Sequence, residues 1–121
     1  VGVRKMRIYY YPACNTCKKA LKWLDNHEFK YEREHIVDAN LTRKEIENIY
    51  KKSKLDIKKF FNTNGNVYKQ LDLKNKLGSM DENEKLELLA SNGMLLKRPI
   101  LTVGNKVIVG FKEEEYTEKL L

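Results

Sequence analysis

A strand, a helix and a second strand follow one another near the start of the chain, and this order limits the fold more than any other feature. Met6–Tyr11 is rich in aromatic and β-branched side chains and stops at Pro12, which predicts a strand. From Cys14 onward, apolar residues recur at spacings of three and four, which predicts a helix ending near Asn26. Alternating apolar residues in Phe29–Val37 predict a second strand. Three such elements within about thirty residues form a βαβ unit with parallel strand pairing.

The middle of the chain carries the start and stop signals of helices. Thr42 and Glu45 form a predicted capping box in front of an apolar stripe. A turn-rich stretch then leaves room for one or two short helical turns. A further helix is predicted to stop at Gly93, and its start is marked twice, at Ser79 and at Asp81.

The last third of the chain predicts a hairpin and a closing helix. Two apolar runs joined by Gly104-Asn105 are typical of an antiparallel hairpin, and acidic residues open a helix over 113–120. The whole order is β-α-β, a helical stretch, then β-β-α. We therefore predict a single α/β domain over residues 6–121, with a helical insertion at about 41–95. Residues 1–5 are interpreted as an N-terminal extension, either an alternative start or a remnant of cloning.

Composition argues against several classes of protein. No apolar run approaches the roughly 18 residues of a membrane span, and the N-terminus lacks the apolar region of a signal peptide. Two cysteines are too few for a typical small secreted disulfide scaffold, so we expect a cytoplasmic protein without membrane contacts.

The chain is basic, with a formal net charge of +7 from 24 Lys and Arg against 17 Asp and Glu. A solvated, lysine-rich surface explains this charge, and so does an acidic partner. The strongest support for a partner is the stretch 51–59, which holds five lysines in nine residues. No interleaved aromatic residues or nucleic-acid-binding motif accompany these lysines, so direct nucleic-acid binding is not predicted.

The two cysteines, Cys14 and Cys17, lie at the junction of the first strand and the first helix. A structural zinc site needs about four ligands, and only His27 and His35 are available at spacings that do not fit. A structural disulfide closing so short a loop would stabilise little and would be reduced in the cytosol. Two unrelated buried thiols at this spacing are a further alternative, because cysteine is often only a small apolar residue. A redox pair is the alternative that the position of the thiols favours.

That position gives the two thiols different roles. Cys14 lies at or just before the first helical turn, where unpaired N–H groups, the helix dipole, Lys18 and Lys19 favour a thiolate. Cys17 lies about one helical turn further on, within reach of Cys14 and on the apolar stripe. Cys14 would attack an oxidised centre, and Cys17 would resolve the adduct as a Cys14–Cys17 disulfide. Two cysteines separated by two residues beside a βαβ unit are typical of thioredoxin-like redox proteins.

Arg98 and Pro99 stand immediately before the hairpin. In one interpretation Pro99 merely begins a strand and Arg98 is an exposed cation. In the other, Pro99 fixes a turn beside the thiols and Arg98 presents its fork of donors to an anion.

These segments together resemble the arsenate reductase (ArsC) family, and in particular its Spx-like members. The resemblance rests on YYYPACNTCKKALKWLD, NVYKQL and MLLKRPILTVGNKVIVGFKEEEY, in this order. It implies a thioredoxin-like fold, a mixed sheet flanked by helices with a helical insertion. It also implies that Cys14 is the nucleophile, that Arg98 contacts oxyanions, and that Pro99 is cis and faces the thiol.

Three functions stay open at this point, and we favour the first. It is a thiol–disulfide oxidoreductase or arsenate reductase that acts on a small oxyanion or a disulfide through Cys14 and Cys17. Such an enzyme would need no bound cofactor or metal, only a thiol reductant such as glutathione, glutaredoxin or thioredoxin. The second is an Spx-like redox-sensing regulator that binds the RNA polymerase α subunit through the helical insertion. The third is a domain whose thiols have no function.

Overall fold

The computed structural model describes residues 5–121 and arranges them around one four-stranded sheet. The strands lie in the order β2-β1-β3-β4, with β1 and β2 parallel and the other neighbours antiparallel. Their bounds are Met6–Tyr10 (β1), Glu32–His35 (β2), Ile100–Val103 (β3) and Lys106–Val109 (β4). The predicted parallel pairing and the predicted hairpin are both confirmed. The extension predicted at residues 1–5 lies, but for Lys5, outside the described residues, and the single domain stays a prediction.

Two strand details depend on local geometry. Gly104 occupies the hairpin turn with a φ of +57°, in the left-handed region that glycine adopts without strain. The second strand is shorter than the predicted Phe29–Val37. Phe29 instead stacks on Trp23 with ring centroids 5.8 Å apart, and at the other end the chain turns as Ala39 N–H donates to the His35 carbonyl.

The helices fill the segments before, between and after the strands. Their bounds are Asn15–Asn26 (α1), Arg43–Ser53 (α2), Asn66–Gln70 (α3), Leu73–Lys76 (α4), Glu82–Ser91 (α5) and Glu113–Leu120 (α6). Short 3-10 turns lie at Ile57–Phe60, Leu77–Ser79 and Gly93–Leu95. None of the helices within residues 5–121 is long and apolar enough to cross a membrane.

Capping residues set the helix ends. The predicted capping box of Thr42 and Glu45 is present at the start of α2. Of the two start signals for α5, Asp81 is the cap, because the Ser79 hydroxyl donates instead to the carbonyl of Lys76 at the end of α4. The predicted stop before Gly93 is confirmed, although Asn92 ends the helix in an extended conformation rather than a left-handed one.

The sheet separates two apolar layers. On one side, Ile8 and Leu101 of the sheet pack with Ala20 and Leu24 of α1 and Tyr116 of α6. On the other side, the sheet faces the predicted insertion. The residues of this second layer are buried and come mostly from α2–α5 and the turns between them: Ile46, Ile57, Phe60, Phe61, Leu73, Leu77, Leu86, Leu89, Leu95 and Leu96. The α/β fold with a helical segment between β2 and β3 therefore agrees with the sequence prediction.

The topology brings two distant segments to the same edge of the sheet. Strand β1 ends at Tyr10, and the antiparallel β3 begins at Ile100, with Tyr9 opposite Ile100. The residues that follow β1 therefore lie beside those that precede β3. Cys14 belongs to the first group and Arg98 to the second.

Candidate functional site

Cys14 is the N-cap residue of α1. Its sulfur accepts a hydrogen bond from the backbone N–H of Cys17 at 3.2 Å. The loop that presents Cys14 is closed by its own N–H, which donates to the Tyr11 carbonyl at 3.0 Å. The first turn of α1 contains no acidic residue. A backbone donor and the positive end of a helix thus face a half-buried sulfur, the setting in which reactive cysteines are found.

Cys17 is one of the buried residues of α1, three positions after Cys14. It is fully buried, and burial together with the hydrogen bond to Cys14 raises the pKa of Cys17 to about 12. A backbone hydrogen bond from Tyr11 and the positive charge of Arg98 lower the pKa of Cys17, but by less than burial raises it. Cys17 is therefore a protonated thiol at neutral pH. The two sulfurs differ as a nucleophile and a resolving thiol would: one accessible, the other buried and neutral.

Arg98 is held from two sides. Its Nη1 donates to the Met94 carbonyl at 3.2 Å, and its guanidinium lies over the Tyr11 ring at 4.7 Å from the centroid. The Arg98–Pro99 peptide bond is cis, as the resemblance implies. The Pro99 carbonyl accepts from the N–H of Gly110 at 2.7 Å, which ties this segment to the end of β4. These contacts orient the planar cation beside the segment that carries Cys14.

A cleft of about 390 Å³ opens in front of Cys14, and we call it the thiol cleft. Its charged lining residues are Lys97 and Arg98, and its polar lining includes Thr16 and three asparagines. No carboxylate is among the described residues that line it. The full lining is Cys14, Thr16, Asn62, Asn64, Gly65, Asn66, Val67, Met94, Lys97 and Arg98. This electropositive, polar space suits an anion or a polar chain rather than an apolar ligand.

The structure brings the four predicted site residues to one edge of the sheet but gives them different positions. Cys14 and Arg98 line the thiol cleft, whereas Cys17 is fully buried and is not among the lining residues. Pro99 is not among the lining residues and follows Arg98 across a cis peptide bond. The roles assigned to these residues stay predictions.

Sequence analysis missed the opposite wall of the thiol cleft. Asn62, Asn64 and Asn66 come from the turn-rich stretch before α3, and Lys97 precedes the predicted Arg98. The main chain brings them together: Asn62 N–H donates to the Leu95 carbonyl at 2.8 Å, and Lys97 N–H donates to the Phe60 carbonyl, at the end of a 3-10 turn, at 2.7 Å. The only signal in the sequence is the unusual density of asparagine and glycine in NTNGN.

The described residues offer no cluster of three or more histidine, cysteine, aspartate or glutamate side chains that could hold a metal ion. Among the residues that line the thiol cleft, the reactive or polar groups are the Cys14 sulfur, the Lys97 and Arg98 cations, the Thr16 hydroxyl and the asparagine amides.

Comparison with known proteins agrees with this geometry. The profile of the ArsC family matches residues 9–119, which include both cysteines, Arg98 and every strand apart from the first residues of β1. The chain belongs to the ArsC family. The predicted resemblance is thereby confirmed.

Curated relatives include regulators. The chain is 51% identical to the uncharacterized protein YusI of Bacillus subtilis over 93% of this chain and 96% of YusI. It is 31% identical to the regulatory protein MgsR of the same organism, over 93% and 87% of the two chains. It is 28% identical to the global transcriptional regulator Spx of Streptococcus pyogenes, over 89% and 79%.

Solved structures show the same fold. An ArsC family related protein from Bacteroides fragilis superimposes with a TM-score of 0.92 at 46% identity, covering 97% of this chain and 98% of that one. A possible arsenate reductase from Streptococcus mutans superimposes with a TM-score of 0.84 at 37% identity, covering 94% and 98%. The predicted thioredoxin-like α/β class, a mixed sheet flanked by helices, is therefore confirmed.

Proposed function

We propose that this ArsC-family protein is a thiol–disulfide oxidoreductase in which Cys14 is the nucleophile and Cys17 the resolving thiol. One observation carries the proposal: a half-buried sulfur caps α1 in an electropositive cleft and accepts a hydrogen bond from the N–H of a second, buried cysteine. If the two cysteines were an unrelated structural pair, neither of them would need to face a cleft lined by Lys97 and Arg98.

The exchange proceeds in two steps. Cys14 attacks one sulfur of a disulfide, a mixed disulfide forms, and the second substrate sulfur leaves as a thiolate. Cys17 then gives up its proton and attacks the Cys14 sulfur, which releases the other substrate thiolate and leaves a Cys14–Cys17 disulfide. Two electrons pass to the substrate, and the protons of the two cysteines end on its thiols. A thiol reductant returns the protein to its starting state.

Arsenate is a second oxidant that the thiol cleft could accept. Two thiols would lose two electrons to arsenic, and one oxygen of the anion would leave as water. Arg98 would supply a fork of donors for the remaining oxygens, with Lys97 as a point charge. The similarity to a possible arsenate reductase from Streptococcus mutans supports this substrate class.

The proposal is tested by counting free thiols on fully reduced protein without oxygen. The count is made by alkylation and mass spectrometry before and after addition of arsenate, or of the neutral dipyridyl disulfide. We expect the wild type to lose both thiols with dipyridyl disulfide, and Cys17→Ser to accumulate a mixed disulfide on Cys14. Cys14→Ser should keep its thiol. Retention of both wild-type thiols with each oxidant would refute the proposal, and loss of both with arsenate would identify it as a substrate.

A second candidate function is a redox-responsive regulator, and the observation that favours it is the similarity to MgsR and Spx. In that case the Cys14–Cys17 disulfide would alter contacts made by α2–α5, and the partner to test is the RNA polymerase α subunit. Comparing the affinity of the reduced and of the oxidised protein for purified α subunit would test this candidate function. Equal absence of binding in both states would remove this candidate without affecting the first.

A further inference from the structure

A second basic cleft lies next to the thiol cleft. It has a volume of about 470 Å³ and is lined by Asp56, Lys58, Lys59, Phe61, Thr63 and Lys97, and we call it the lysine cleft. Lys97 lines both clefts, so the two share a boundary. The lysines come from the end of the basic stretch 51–59, which neither candidate function explains.

The contact between the two clefts is built by the main chain. Phe61 and Leu96 form an isolated antiparallel bridge, with hydrogen bonds of 2.7 and 2.8 Å on either side of it. This bridge fixes the 3-10 turn that carries Lys58 and Lys59 against the segment leading to Arg98. The position of the lysines relative to the thiol cleft is therefore set by paired backbone rather than by a loose loop.

The positive charge of this surface is not neutralised within the protein. Ion pairs among residues 5–121 involve Lys5, Arg7, Arg33, His35, Arg43, Lys51 and Lys119, and none involves Lys58, Lys59, Lys97 or Arg98. Among the described residues, Asp56 is the one carboxylate that lines the lysine cleft. It caps the 3-10 turn, accepting from Lys58 N–H at 2.9 Å. Four cations thus remain available to an acidic ligand.

We infer that the two clefts together bind an acidic polypeptide segment that carries the disulfide exchanged by Cys14. This inference rests on the proposed function and adds the class of substrate. A small oxyanion or disulfide in the thiol cleft would meet Lys97 and Arg98 but would leave Lys58 and Lys59 unused. A chain that spans both clefts places its cysteine at Cys14 and its carboxylates, a few residues away, on the lysines. Phe61 is only 2% exposed, so the lysine cleft has no aromatic surface on which the bases of a nucleic acid could stack.

The redox step is the exchange described above, with the partner's disulfide as oxidant. The protein's dithiol becomes a disulfide, and the partner's disulfide becomes two thiols, with two electrons and two protons transferred. Electrostatic attraction acts on the encounter, so its effect should appear in kcat/KM and should weaken with added salt.

The test uses peptides of equal length that carry one cysteine linked as a mixed disulfide to thiopyridine. One peptide has glutamates on both sides of the cysteine, one has glutamines and one has lysines. Release of thiopyridone is followed by absorbance at low and high salt. We expect the glutamate peptide to exceed the glutamine peptide by about tenfold in the second-order rate constant for a single reaction of the reduced protein at low salt, and the lysine peptide to be slowest.

Two double variants locate the effect. Lys58→Ala with Lys59→Ala should abolish most of the preference for glutamate, measured as the ratio of the rates with the glutamate and glutamine peptides. Lys22→Ala with Lys30→Ala is the matched control, because it removes the same charge from exposed sites. Lys30 lines a different cleft, with Met6 at the far end of β1. The control should keep the preference.

The outcomes separate this inference from the proposed function. Equal rates with all three peptides, or an equal loss of preference in both double variants, would overturn the inference and leave the oxidoreductase intact. No reaction with any peptide would overturn both. Tighter binding of a single-stranded oligonucleotide than of the glutamate peptide, lost in the Lys58 and Lys59 variant, would reassign the lysine cleft to nucleic acid and also overturn the inference.

Discussion

The buried position of Cys17 makes a quantitative prediction about the reactivity of the two thiols. Burial and the hydrogen bond to Cys14 raise the pKa of Cys17 from an ordinary 9.0 to about 12. A rise of about three units lowers the thiolate fraction near neutral pH about 1000-fold. The thiolate that does form is about 20-fold more nucleophilic, because nucleophilicity rises with basicity. Ionisation alone should therefore slow alkylation of Cys17 about 50-fold, before any loss of access to a side chain that is 0% exposed.

The assay is alkylation of reduced protein by iodoacetamide at pH 7.5 or so, quenched in time and followed by peptide mass spectrometry. Cys14→Ser isolates the reaction of Cys17, and unfolded protein in urea supplies the reference rate for an ordinary thiol. The largest cause, burial, persists in this variant, so Cys17 should stay tens of times slower than in the unfolded chain. In the wild type, the label should appear on Cys14 first. A Cys17 that reacts within threefold of the unfolded reference would refute the assignment of a protonated, buried resolving thiol.

Three further predictions concern the cleft and its frame. Arg98→Lys keeps the positive charge but loses the fork of donors that lies over the Tyr11 ring. The preference for an anionic aromatic disulfide over neutral dipyridyl disulfide, measured as a ratio of kcat/KM values, should therefore fall about tenfold. An unchanged preference would mean that Arg98 does not contact the substrate. Gly93→Ala would place a Cβ 2.9 Å from main-chain atoms just after β2, and these atoms cannot move aside. Urea denaturation should therefore show a free energy of unfolding lower by about 1–3 kcal/mol. The control Gly78→Ala, which has open space around it, should change this free energy little. The free energy of unfolding should fall as pH rises from about 9 towards 12, because the raised pKa values of Cys17 and Tyr116 mean that the unfolded chain loses these protons first. Melting temperature measured under reducing conditions should decline less steeply with pH in Cys17→Ser than in the wild type. An equally steep decline would contradict this prediction.

The sequence predicted those parts of the fold that neighbouring residues determine. The capping box at Thr42 needs only a partner three residues away, and the hairpin turn needs only the conformational freedom of Gly104. The position of Cys14 at the helix start follows in the same way from the change of periodicity after Pro12. Each of these is a local interaction, so a single sequence carries enough information to place it.

The parts that sequence could not supply depend on contacts between distant segments. The wall of the thiol cleft formed by Asn62, Asn64 and Asn66 exists because Phe61 pairs with Leu96 across more than thirty residues of chain. Nothing in NTNGN distinguishes a cleft wall from an ordinary surface turn. The start of β2 was decided by the stacking of Phe29 on Trp23, whereas its end and the choice of Asp81 over Ser79 were decided by competing local hydrogen bonds. The two thiols were predictable from the sequence, whereas the lining of the thiol cleft, which determines substrate specificity, was not.

The helical segment between β2 and β3 is both a wall of the cleft and the cover of one face of the sheet. A chain shortened by removing it would expose Tyr9, Ile36 and Ile100 to water, so it cannot be exchanged as a detachable module. In proteins of this architecture, substrate specificity can therefore be changed without disturbing the apolar layer only at solvent-exposed side chains. Here those are a few asparagines and lysines. Engineering a new specificity should begin with these polar positions and leave the apolar ones untouched.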